Sequence, residues 1–233
     1  MTDPLSPTGP ARSARSTGPG SLTAAGLRAA LAADPVIAVV RAPRIPDAAA
    51  LCAALAAGGI TWTELTFTTP GVTDHLARAV AAGHRIGVGT VLTEAQAEDA
   101  LAAGASFLVT PGLRPQVART AHAAGVPAVL GALTPTEVAD ALDLGAAAVK
   151  IFPAKAFGPG YFKDLRGPYP DVPLVASGGV NAGNAAAFLA HGALAVCAGT
   201  DVVPPQAVAD GDWDEITRRA RLFTDACRAT ETI

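Results

Sequence analysis

Lysine is the scarcest charge in this chain: 233 residues hold only three, at positions 150, 155 and 163. Lysine and arginine together number 17 against 20 acidic residues, for a formal net charge of -3, and no polybasic run occurs. Such a chain lacks the electrostatic footprint of a nucleic-acid or anionic-membrane binder, so small molecules are the expected partners. Its three cysteines, Cys52, Cys197 and Cys227, are far apart and include no C-x-x-C pair, which argues against a disulfide framework or a zinc site. No segment runs eighteen apolar residues free of glycine, proline and charge, and the first residues hold no apolar stretch of signal-peptide length. The expected location is the cytoplasm, with no membrane partner.

What is present is a globular composition: half the residues are hydrophobic, 16% are charged and only 5% aromatic. Abundant alanine and glycine suit helices packed closely on a sheet, and the length suits one large core. Residues 1–20 stand apart, with four prolines, three glycines and almost no apolar content. They cannot bury enough surface to offset ordering, so they are expected to form a disordered tail ahead of one domain over 21–233.

After an opening helix predicted near Ser21 to Ala32, one pattern recurs eight times: a β-branched run, a turn, then an alanine- and leucine-rich stretch. The runs are 35–41, 62–67, 85–90, 106–111, 127–131, 147–153, 173–179 and 194–200. Glycines at 58, 83, 104, 125, 145 and 192 close the intervening stretches, each read as a left-handed helix stop. Alternating strands and helices imply right-handed crossovers, and eight of them favour a closed (β/α)8 TIM barrel over an open sheet. No glycine-rich dinucleotide fingerprint follows the first run.

Barrel chemistry sits at the carboxyl ends of the strands. Those positions carry Arg41, Glu64 with Thr66 and Thr68, Thr90, Thr110-Pro111, Gly131, Lys150, Ser177-Gly178-Gly179 and Gly199-Thr200. Lys150 is the sharpest feature, because it interrupts the apolar run Ala-Ala-Ala-Val-Lys-Ile-Phe-Pro. Desolvation favours the neutral form of an amine, and a neutral amine attacks a ketone to give an imine that serves as an electron sink. Glu64 falls in an alternating strand whose side chains at 62, 64, 66 and 68 share a face, so its carboxylate points into the barrel. General acid and base work is one use of such a group; a structural ion pair with Lys150 or Arg41 is the competing one. The turns at 177–179 and 199–200 fall where barrels hold a phosphate on backbone N–H groups and small hydroxyls. His75, His84, His122 and His191 sit on predicted helices or their ends, read as solvated, with no ligand spacing among them. Neither a metal nor an organic cofactor is expected.

Taken together, these segments resemble the 2-keto-3-deoxy-6-phosphogluconate / 4-hydroxy-2-oxoglutarate aldolase family along nearly the whole chain after the tail. The resemblance is carried by Pro35 to Arg41, Gly58-Gly-Ile, Glu64 to Thr69, Gly87 to Leu92, Val109 to Gly112, Gly131 to Glu137, Lys150 to Pro153, Ser177 to Gly179 and Gly199-Thr200. It implies a class I aldolase in which Lys150 forms the Schiff base and Glu64 moves protons. It implies that Thr90 and the Pro111 carbonyl hold the pyruvyl portion, that Phe152 packs against it, and that Ser177, Gly178, Gly179, Gly199 and Thr200 bind phosphate. It also implies a homotrimer and a phosphorylated keto acid as substrate.

Three positions depart from that pattern. Thr68 stands where many members carry an arginine for the substrate carboxylate, leaving Arg41 or hydroxyls to substitute. Lys155 stands where many have glutamate, in an Ala-Phe-Gly-Pro context closer to the 6-phosphogalactonate branch, and Ser177 replaces a frequent threonine. The rival readings are a 4-hydroxy-2-oxoglutarate or other 2-keto acid aldolase, a phosphate-binding barrel transferase such as a thiamine-phosphate synthase-like protein, and a sugar-phosphate sensor.

Overall fold

The computed structural model describes residues 22–228, so the tail reading for residues 1–20 and the end of the chain lie outside the described residues. Helix α1 (Ala24–Ala33) leads into eight strands: β1 (Val36–Val40), β2 (Trp62–Thr66), β3 (Ile86–Gly89), β4 (Phe107–Val109), β5 (Ala128–Ala132), β6 (Ala148–Ile151), β7 (Leu174–Ala176) and β8 (Ala193–Ala198). Between them run α2 (Ala48–Ala57), α3 (Val72–Ala81), α4 (Glu94–Ala102), α5 (Pro115–Ala123), α6 (Pro135–Asp143), α7 (Gly160–Leu165) and α8 (Ala185–Ala190). After β8 come α9 (Pro205–Asp210) and α10 (Trp213–Arg228). All strand pairs are parallel, and β8 returns to β1 to close the barrel. Each strand lies within the predicted run, except that β5 extends one residue beyond it and β8 begins one residue before it.

Helix starts follow local chemistry. Thr23, Asp47, Thr93 and Thr134 each accept backbone N–H bonds from the first turns of α1, α2, α4 and α6. Thr134 and Glu137 complete a reciprocal capping box, and the Leu133 and Thr134 N–H groups hold the Glu137 carboxyl below its usual range. At the helix ends, Gly83, Gly104, Gly125, Gly145 and Gly192 adopt positive φ as expected, but Gly58 does not: its φ is -87°, and the left-handed residue is Gly59 at 93°. Gly58 is required for a different reason. A Cβ there would lie 2.4 Å from the Ala220 Cβ and 2.7 Å from the Thr217 carbonyl oxygen, so α10 seats directly on this backbone.

Two apolar cores result. The larger packs helices on the outside of the barrel. A smaller one fills the barrel's amino-terminal end, where Ile37, Trp62, Phe107, Val129, Val175 and Ala195 meet Leu27 and Leu31 of α1. Both leucines are fully buried, so α1 is a plug, and each contributes about 2 kcal/mol by burial. Trp62 and Phe107 meet edge to face at 5.9 Å. Gly87 makes room for that ring, since a Cβ there would stand 2.2 Å from it.

Candidate active site

The interior changes character two residues further along β2 and β6, where Glu64 follows Trp62 and Lys150 follows Ala148. On β2, Trp62 belongs to the plug end, Glu64 follows on the same face, and Thr66 completes the series. Lys150 on β6 lies across the barrel, and its Nζ stands 3.7 Å from the Glu64 Oε1. Both are interior groups, with Lys150 6% and Glu64 1% exposed. Such a pair is costly to bury and persists only because each charge faces the other. Neither Glu64 oxygen accepts a hydrogen bond from the described protein groups, an unusual condition for a buried carboxylate. The carboxylate is thus held by the facing ammonium and by packing.

Glycines make the space. A Cβ on Gly89 would lie 1.7 Å from the Glu64 Oε1, so the carboxylate occupies the volume a side chain on β3 would take. A Cβ on Gly131 would fall 2.2 Å from the Pro111 carbonyl carbon and 2.5 Å from its oxygen, so the Pro111–Gly112 peptide lies against β5. Thr110, fully buried, accepts from the Gly131 N–H at 3.0 Å and ties the ends of β4 and β5 together. Sequence reasoning missed the role of Gly89, although the Gly87-Val-Gly89 alternation, which puts both glycines on one face, was a signal for it.

Around the pair, the Phe152 ring centroid lies 5.7 Å from the Lys150 Nζ. That ring also packs beside Gly178, where a Cβ would approach it to 3.1 Å. Thr90, just past β3, is the one non-glycine residue with positive φ among those described, at 57°. That conformation costs about 1–2 kcal/mol, and strain of this kind gathers at binding sites. Thr66 and Thr68 share a hydroxyl hydrogen bond of 2.8 Å. Cys197 on β8 is buried beside Ser177 and near the pair. Burial pushes its thiol up to about 11 against the opposing pull of Lys150, so it is a neutral group and no second nucleophile.

Predicted site residues therefore divide. Lys150, Glu64 and Phe152 converge directly, and Ser177, buried just past β7, is tied to the turn after Phe152 by the Ala154 N–H, which donates to its carbonyl at 2.7 Å. Ser177, Gly178, Gly179, Gly199 and Thr200 follow the neighbouring strands β7 and β8, whose loops are joined by the Asp201 Oδ2 accepting from the Ala182 N–H at 2.9 Å. Arg41 lies exposed one residue past β1 and makes no ion pair with Glu64, which leaves Lys150 as the carboxylate's partner. Thr68 is exposed just beyond β2. The histidines stay away from the pair, but His75 on α3 and His84 just past it are half-buried rather than solvated, and desolvation, aided by Arg78, pushes the His75 pKa down. Among the described residues, no cluster of His, Cys, Asp and Glu suited to a metal ion occurs. No described helix is long and apolar enough to cross a membrane.

A closed parallel barrel with a buried amine facing a buried carboxylate in its interior brings a nucleophile and a proton carrier together, as an enzyme site requires. The KDPG and KHG aldolase family model matches residues 27–219. The 2-dehydro-3-deoxy-phosphogluconate aldolase of Treponema pallidum is 40% identical over 185 residues, 78% of this chain and 88% of that protein. Among solved structures, the KDPG aldolase of Legionella pneumophila, with pyruvate captured at low pH as a covalent carbinolamine intermediate, superposes with a TM-score of 0.78 at 32% identity, covering 83% of this chain and 96% of that one. A native KDPGal structure superposes with a TM-score of 0.79 at 31% identity, over 85% and 97% of the two chains. The chain belongs to the KDPG and KHG aldolase family and is an aldolase, a carbon-carbon lyase.

Proposed function

We propose that this chain is a class I aldolase that cleaves 2-dehydro-3-deoxy-6-phosphogluconate, or its galactonate epimer, to pyruvate and glyceraldehyde 3-phosphate. The carrying observation is the buried Lys150–Glu64 pair, 3.7 Å apart across the barrel. The Lys150 amine attacks the C2 ketone, and the carbinolamine loses water to give a protonated imine. Glu64, directly or through water, takes the proton of the C4 hydroxyl, and the C3–C4 electron pair moves into the imine as the aldehyde leaves. The same carboxyl returns a proton to C3 of the enamine, and hydrolysis releases pyruvate. The carbinolamine of pyruvate in the Legionella relative supports this chemistry.

The Pro111 carbonyl and Thr90 flank the pyruvyl portion, Phe152 covers it, and Arg41 with the Thr66–Thr68 hydroxyls receives the carboxylate. The turns at 177–179 and 199–200 take the phosphate. The resemblance to the family supports the roles of Thr90, Pro111, Phe152 and the two turns and the assembly of three copies, while Arg41 and the Thr66–Thr68 hydroxyls substitute for the arginine that many members carry at position 68. The one feature that favours a rival is Thr68 in place of a cation, which suits a sugar-phosphate sensor; ligand binding without pyruvate release would distinguish it.

Incubation with pyruvate and sodium borohydride, followed by peptide mapping, tests the reading. A reduced adduct on Lys150 is expected, absent in Lys150→Arg, which keeps a cation opposite Glu64 but forms no imine. A folded chain that leaves Lys150 unmodified refutes the mechanism.

A further inference from the structure

The loops after β6, β7 and β8 (152–159, 177–184 and 199–204) hold just two ionisable side chains, Lys155 and Asp201. Asp201 is engaged by the Ala182 N–H and is of the wrong sign for an anion. Lys155, in the short 3-10 turn Ala154–Ala156, is exposed and makes no ion pair among the described residues. Its position is nonetheless fixed. The Lys155 N–H donates to the Gly178 carbonyl at 3.0 Å, and the preceding Ala154 N–H donates to the Ser177 carbonyl at 2.7 Å. A Cβ built on Gly179 would meet the Lys155 Cβ at 2.5 Å, Cδ at 2.7 Å and Cγ at 3.0 Å. The lysine stem therefore lies along Gly179, and the ammonium is carried two bonds beyond Cδ at that same turn. Arg41 and Arg44, the cations of the β1–α2 loop, make no hydrogen bond to residues 177–179 or 199–200.

We infer that Lys155 is a phosphate-anchoring residue that sets this site's preference for a phosphorylated substrate; the inference rests on the aldolase reading above. A dianion on the backbone N–H groups of the glycine turns gains a cation from one side, on a stem that Gly179 positions. Gly179, at φ 82° and without a Cβ, is what lets the stem cross it.

The full chain and its Lys155→Met, Lys155→Glu and Lys155→Arg variants separate this from a packing role, because methionine keeps an unbranched apolar stem and loses only the charge. Three quantities are measured: KM for 2-dehydro-3-deoxy-6-phosphogluconate, the binding constant of inorganic phosphate by calorimetry, and the rate of borohydride trapping by pyruvate. Lys155→Met is expected to weaken KM and phosphate binding about five- to tenfold, with more loss in the glutamate variant and recovery in the arginine variant. Trapping by pyruvate, which carries no phosphate, stays within twofold. Unchanged KM and phosphate binding in the methionine and glutamate variants overturn the inference, as does equal loss of trapping in step with phosphate binding. If the parent fails to trap pyruvate, the aldolase reading falls, while the phosphate calorimetry still decides the role of Lys155; a parent that binds no phosphate overturns it.

Discussion

The two ends of the barrel interior are built from the same strands by the same rule and serve opposite ends. At the amino-terminal end, Gly87 yields its volume to the Phe107 ring, Trp62 packs against that ring, and α1 seals the opening with Leu27 and Leu31. Two residues along β3, Gly89 yields the same volume to the Glu64 carboxylate, whose neighbour is an ammonium group. One glycine completes an apolar core and the next makes a place for a buried charge. The difference lies in what the facing strand supplies, Phe107 from β4 in the first case and Glu64 from β2 in the second. Stability is thus concentrated at one end and chemistry at the other.

The sharpest way to break this division is at Glu64. Glu64→Gln is nearly isosteric and removes the proton carrier, so turnover is expected to fall about 10²- to 10⁴-fold. Steady-state assay of pyruvate release checks this, with circular dichroism to show that the barrel is retained. Gly89→Ala comes next, because the added methyl forces the carboxylate to move. A displacement on the order of 1 Å costs about 10²-fold in rate, measured as kcat with pyruvate trapping as a second readout. At the sealed end, Leu31→Ala is expected to lose about 2–5 kcal/mol of stability, read by denaturant unfolding, with kcat at 25 °C held within about twofold. A large kcat effect there, or a large stability effect without rate loss at Gly89, would dissolve the contrast.

Much of this was legible because it rests on local signals. The β-branched runs and the glycines between them mark all eight strands, and a lysine inside an apolar run marks its own importance. Gly58 misled because helix-end glycines look alike in sequence, whereas here the neighbouring Gly59 takes the left-handed turn and Gly58 admits α10, more than 150 residues away. His75 and His84 were read as solvated because the helix pattern does not reveal how deeply each side chain is covered. Glu64 had two possible partners in sequence, and the structure decides for Lys150 over Arg41.

By itself, the sequence determined the element order, the parallel closed barrel, the strand ends and the residue types available there, since period, turn chemistry and composition act over a few residues at a time. Only the tertiary structure decided which of those residues meet: the 3.7 Å pair across the barrel, the volume that Gly89 cedes to a carboxylate from the preceding strand, and the Lys155 stem lying on Gly179. Those contacts depend on strand register and barrel closure, which join residues far apart in the chain and leave no local pattern from which the distance can be read.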